Sequence, residues 1–102
     1  MEWMEAMFRQ DEEGVIHFQG TLSIHELERL RVFLLDLLHS EQGILLSLAE
    51  VTGIDAAALQ LLIAFRISLP VGRSWRVVAI SEQVDRILML SGLKGELFGP
   101  GG

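Results

Sequence analysis

The segment Ile44–Leu48, ILLSL, constrains the fold of this chain most. It is short, apolar on both faces and entered from Gly43, the pattern of a strand buried inside a sheet. A segment of helical periodicity lies on each side of it. A buried strand between two helices calls for crossover connections and for a sheet with parallel pairs.

The helix before it is LSIHELERLRVFLLDLLHSEQG. Ser23 can cap it, and Glu26 three residues on completes a capping box. Leu22 and Leu27 take the two positions of a hydrophobic staple. Ile24, Leu27, Leu34 and Leu38 recur at helical spacing, widened by Leu30 and Leu37. Gly43 is its expected terminator.

The helix after it follows VTGID. Asp55 is the expected N-cap, accepting from the backbone N–H of Ala57 or Ala58. Ile54 and Leu59 repeat the staple, and Pro70 stops the helix near Leu69. SWRVVAI then reads as a strand. Ser81 caps a third helix, EQVDRILML, and Gly92 closes it in the left-handed conformation. LKGELFGPGG reads as a short coda with a frayed end at about 98–102.

Upstream, MEWMEAMF is a candidate first strand, although Met, Ala and Glu are weak strand formers. DEEG is a turn. VIHFQ alternates, with Ile16 and Phe18 on one face, and Gly20 and Thr21 are expected to break it. The order is therefore strand, strand, helix, strand, helix, strand, helix. An antiparallel hairpin opens the chain and parallel pairs follow. With 102 residues, no linker and no repeat, residues 1–102 form one α/β domain.

Composition excludes several roles. The chain has no cysteine, so disulfide and thiolate chemistry are absent. Its formal net charge is −6, from 14 acidic and 8 basic residues, which disfavours nucleic acid and anionic membrane surfaces as partners. Glu2 and Glu5 stand where a secretory signal needs positive charge. The apolar runs fall short of the ~20 residues that span a bilayer. The expectation is a soluble cytoplasmic domain without direct membrane insertion.

Reactive constellations are not visible. His17, His25 and His39 lack a second His or a Cys at metal-ligand spacing. Their ordinary reading is surface or boundary residues, with His39 favoured near a helix C-terminus. GLKG has neither the spacing nor the strand-to-helix context of a phosphate loop. Ser40, Ser68 and Ser74 have no base identifiable from sequence, and Asp11–Glu13 reads as a solvated turn. No catalytic residue, metal or cofactor is expected.

Against this background, ILLSLAEVTGIDAAALQLLIAF resembles the signature of STAS domains, the family of sulfate transporters and anti-sigma-factor antagonists. There a buried strand leads to an Asp-Ser-Ser-Gly or Asp-Thr-Ala-Gly type motif that opens a helix. Asp55 matches the motif Asp, Ala57 falls where regulatory members carry a phosphorylatable Ser or Thr, Ala58 takes the Gly position, and Leu59 matches the following Leu. GTLSIHELERL is similar to the family's strand-to-helix junction, with Ser23 where many members have Asp. SEQVDRILMLSGL is similar to its last helix. The stretch IDAAALQLLIAF is especially similar to small chemotaxis-associated members, with Ala56 in place of Thr.

The resemblance implies a mixed sheet of four to five strands with helices packed on one face. It also implies a non-catalytic role, binding a protein partner around the second helix start. The residues concerned are Thr21, Ser23, Thr52, Gly53, Asp55, Ala56, Ala57, Ala58 and Gln60. The implied partner is an anti-sigma or chemotaxis kinase-like protein or, alternatively, the ATPase of a lipid-transport ABC complex. Homodimerisation stays open. A phosphate at a helix start would add roughly −1.5 to −2 charges and switch an interface. Ala57 has no hydroxyl, so a switch would need Thr52, read as lying in the loop before the helix, or Ser23. The helix is apolar around much of its circumference. Packing against sheet and neighbours explains that, and so does an apolar docking surface.

Overall fold

The computed structural model describes residues 8–40 and 42–99. Four strands, β1 (Phe8–Gln10), β2 (Val15–Leu22), β3 (Ile44–Ile54) and β4 (Trp75–Ile80), form one sheet in the order β1-β2-β3-β4. The β1/β2 pair is antiparallel, and β2/β3 and β3/β4 are parallel. The helices are α1 (Leu27–Leu38), α2 (Ala56–Ser68), α3 (Glu82–Ser91) and α4 (Lys94–Phe98), with a 3-10 turn at Ile24–Glu26 before α1. The expected hairpin start and parallel crossovers are present. The candidate strand MEWMEAMF lies outside the described residues except for Phe8.

The two crossovers, β2-α1-β3 and β3-α2-β4, step across the sheet in one direction. Right-handed connections therefore put α1 and α2 on the same face. Ile16 and Phe18 of β2, Leu46 and Leu48 of β3 and Val77 of β4 join Leu30 and Leu34 of α1 and Leu59 and Leu62 of α2 in one buried cluster. At its β1 side, Phe33 of α1 stacks on Phe8 with ring centroids 4.5 Å apart, and Phe18 meets Phe8 edge-on at 5.2 Å. Val84 and Leu88 of α3 and Leu97 of α4 complete the cluster.

The bounds and course of four elements depart from sequence expectation. Strand β2 runs through Gly20 and Thr21 to Leu22: Gly20 takes φ +78°, and register shifts there absorb the irregularity within the β2/β3 ladder. Strand β3 likewise runs on to Ile54, so Thr52 is a strand residue and not a loop residue. Its pairing offset to β2 grows along the strand, from Ser47 opposite His17 to Ile54 opposite Leu22. Helix α1 ends at Leu38, before Gly43, as the N–H groups of His39 and Ser40 turn to the carbonyls of Asp36 and Leu37 in a tightened last turn.

The coda is the fourth departure, since its Lys94–Phe98 half is helix α4; of the frayed end expected at about 98–102, residues 100–102 lie outside the described residues. Leu97 is fully buried, the Trp75 indole N–H donates to the Leu97 carbonyl at 2.8 Å, and Arg66 Nε–H donates to the Glu96 carbonyl at 2.6 Å. Five residues with an internal glycine have little helical propensity of their own. These tertiary bonds and the buried leucine hold the segment in place.

Candidate functional site

Three adjacent parallel strands deliver the chain to three helix starts at one edge of the sheet. Each start is capped by a side-chain oxygen. Ser81 Oγ accepts from the Val84 N–H at 3.2 Å and donates to the Val51 carbonyl at 2.6 Å, tying α3 to β3. Ser23 Oγ accepts from the His25 N–H at 3.3 Å. The capping box expected there does not form as drawn. The chain enters α1 through a 3-10 turn, and the Glu26 side chain faces Arg29, 3.6 Å away.

Asp55 holds the other two starts together. Its Oδ1 accepts from the Ala58 N–H at 2.9 Å, the expected cap of α2. Its Oδ2 accepts from the Ile24 N–H at 2.7 Å, across the β2/β3 pair. The Asp55 N–H donates back to the Leu22 carbonyl at 3.0 Å. One residue thereby satisfies free N–H groups at the entries of both α1 and α2, with its negative charge at the positive end of each.

The structure brings Thr21, Ser23, Thr52, Gly53, Asp55, Ala56, Ala57 and Gln60 to this edge. The Thr21 and Thr52 hydroxyls lie 3.4 Å apart, and both side chains are exposed. Ala56 and Gln60 are exposed and Ala57 is half-buried. Ala58 is different: its side chain is fully buried, so it contributes an N–H to Asp55 and a small side chain to the core, not a surface. Helix α2 buries Leu59, Leu62, Ile63 and Phe65 as well, which accounts for most of its apolar circumference by packing. Ala64 and Ile67 stay exposed.

Sequence reasoning missed one residue here. Ile24 fits the apolar stripe of α1, yet its side chain is 61% exposed. The 3-10 turn, with three residues per turn, rotates it off the stripe that Leu30 and Leu34 continue. Nothing in the local sequence distinguishes a 3-10 first turn from an α one.

The histidines lie apart from this edge or engage locally. His17 Nε2 and Asp11 Oδ2 are 2.8 Å apart at the β1–β2 turn, and His39 Nδ1 lies 3.1 Å from the Leu35 carbonyl. Asp11 is thus more than a solvated turn residue. It also accepts from the N–H groups of Glu13 and Val15, both at 2.9 Å. Among the described residues there is no group of three or more His, Cys, Asp or Glu side chains able to hold a metal ion. No described helix is long and apolar enough to cross a membrane.

A four-stranded mixed sheet, with α1 and α2 on one face and a carboxylate joining two helix starts at the strand ends, defines a small α/β domain of a known class. The chain belongs to the STAS domain family, whose model matches residues 6–99. Its fold is similar to that in the crystal structure of an anti-sigma factor antagonist from Mycobacterium paratuberculosis. The TM-score is 0.74 at 18% sequence identity, over 89% of this chain and 79% of that one. A search of curated protein sequences gave no match.

Proposed function

We propose that this chain is a non-catalytic protein-interaction module of a bacterial regulatory or signalling pathway, and that it binds its partner at the start of α2. Membership of the STAS family and the fold shared with an anti-sigma factor antagonist support a regulatory binding role. The observation that carries the reading is the Asp55 carboxylate, which fixes the entries of α1 and α2 as one unit. The exposed side chains of Ala56 and Gln60 then stand on a preformed surface, and binding to a preformed surface has a low ordering cost.

Ala57 occupies the position that the family pattern gives to a phosphorylatable residue. A methyl group resembles an unmodified serine in charge and roughly in size, so this face acts as a permanently competent docking surface. The partner class is an anti-sigma or chemotaxis kinase-like protein. Ala57→Glu places charge and bulk at the face, and a glutamate in the first helical turn is tolerated there. The expected result is a folded variant that no longer co-purifies with the partner. Unchanged co-purification of a folded variant overturns the reading.

Thr52 favours a second reading, since its hydroxyl is exposed on the same edge and is the only one between residues 51 and 59. Phosphorylation there would restore a switch that Ala57 cannot supply. Ser23 is less free for this role because its hydroxyl caps the 3-10 turn. Intact-mass measurement after incubation with the cognate kinase and ATP decides between a constitutive and a switched surface.

A further inference from the structure

We infer that Ile24 is the apolar anchor of this docking face, and that the partner meets it with an apolar socket bordered by basic side chains; the inference rests on the α2-start reading above.

A single exposed apolar residue is ordinary on a protein surface. Ile24 differs in how it is held. Its N–H is bonded to Asp55, the His25 N–H to Ser23 Oγ and the Glu26 N–H to the Ser23 carbonyl at 2.8 Å. A β-branched side chain on a backbone fixed from both sides loses little freedom when it is buried. The other strongly exposed apolar residues lie elsewhere: Val32 on α1, Ile67 in the last turn of α2, Val71 in the α2–β4 loop, and Met89 and Leu90 on α3. Of these exposed apolar residues, Ile24 is the one whose backbone is bonded directly to Asp55, the cap of α2.

Charge sets the border. The segments 21–29 and 50–60 carry four carboxylates, Glu26, Glu28, Glu50 and Asp55, against one arginine, Arg29. Arg29 itself faces Glu26. The face is therefore acidic around an apolar centre, within a chain of net charge −6. The complementary partner surface is basic around an apolar depression. Such pairing steers association and makes it sensitive to salt.

The test begins with a photoreactive benzoylphenylalanine at exposed position 60, which captures in cells whatever protein lies on this face. The captured protein is then produced separately and titrated against the unmodified chain and the Ile24→Ser, Val71→Ser and Ala57→Glu variants, each first shown to melt as a folded protein. Ile24→Ser is expected to weaken binding about tenfold or more, Val71→Ser to leave it unchanged, and the unmodified chain to bind less tightly as salt rises. Binding of Ile24→Ser at the unmodified affinity overturns the anchor, and salt-independent binding overturns the basic border. Loss with Ala57→Glu alone leaves the α2-start reading standing without the anchor. Loss with Ile24→Ser alone does the reverse. Absence of any protein captured at position 60 overturns both.

Discussion

Asp55 and Ile24, 31 residues apart in sequence, are joined by a 2.7 Å hydrogen bond from a backbone N–H to a carboxylate oxygen. The same carboxylate caps α2 through the Ala58 N–H. Removing it therefore takes the cap from α2 and the acceptor from the Ile24 N–H at the 3-10 entry to α1. Asp55→Ala is expected to destabilise the domain by about 2–4 kcal/mol, from a lost cap plus a charged hydrogen bond. Asp55→Asn, which keeps an acceptor oxygen, is expected to lose roughly half as much. Ser23→Ala is expected to cost under about 1 kcal/mol, because Asp55 still holds the Ile24 N–H. Urea denaturation of the three variants measures the order. Equal losses at Ser23 and Asp55 would sink the shared-cap account.

Helix α4 is part of the core. Leu97→Ala is expected to cost about 2–4 kcal/mol, the range for deleting a fully buried leucine. A loosely docked coda would show almost no change. Thermal or urea unfolding distinguishes the two.

Gly92 closes α3 at φ +73°. A Cβ added there meets nothing within 4 Å, so only the left-handed backbone opposes substitution. Gly92→Ala is expected to destabilise by about 1 kcal/mol, and Gly92→Asn by less. Comparable stability of all three proteins would contradict the left-handed cap.

The Asp11 carboxyl is held below its ordinary value, first by the hydrogen bond with the His17 ring. Burial opposes this, and the N–H groups of Val15 and Glu13 assist. A depressed folded value contributes stability above the unfolded value of about 4, and that contribution is lost as pH falls through the folded one. Melting temperatures followed downward through the acid range are expected to fall less steeply for Asp11→Asn than for the unmodified chain. Parallel acid limbs would rule out this contribution.

Local rules made much of this molecule legible. Asp55 and Ser81 as caps, Gly92 as a left-handed stop and Pro70 after α2 each follow from a few neighbouring residues, and each stands in the structure. The alternation of strands and helices gave the parallel crossovers for the same reason. What escaped depends on partners distant in sequence. The bond from Ile24 to Asp55 needs β2 and β3 side by side. Helix α4 needs Trp75 and Arg66 to hold its carbonyls. The continuation of β2 past Gly20 and of β3 to Ile54 needs a ladder that tolerates register shifts. The candidate site was legible as a helix start centred on Asp55. Thr21 and Ser23 marked its β2–α1 side, but Ile24 between them and α1 was hidden by a 3-10 turn that turns an apparent core residue outward.

The helix start is assembled from backbone N–H groups and one carboxylate, and no bond found there uses the side chains of Ala56 or Ala57. The scaffold and the side chains displayed on it thus rest on different atoms. The side chains at positions 56 and 60 can therefore change without rebuilding the scaffold beneath, and on the docking role proposed above such changes would alter what the face binds. The reverse does not hold. A one-residue insertion or deletion between Leu48 and Asp55 would carry the carboxylate away from Ile24 and dissolve the edge, whatever side chains it displayed.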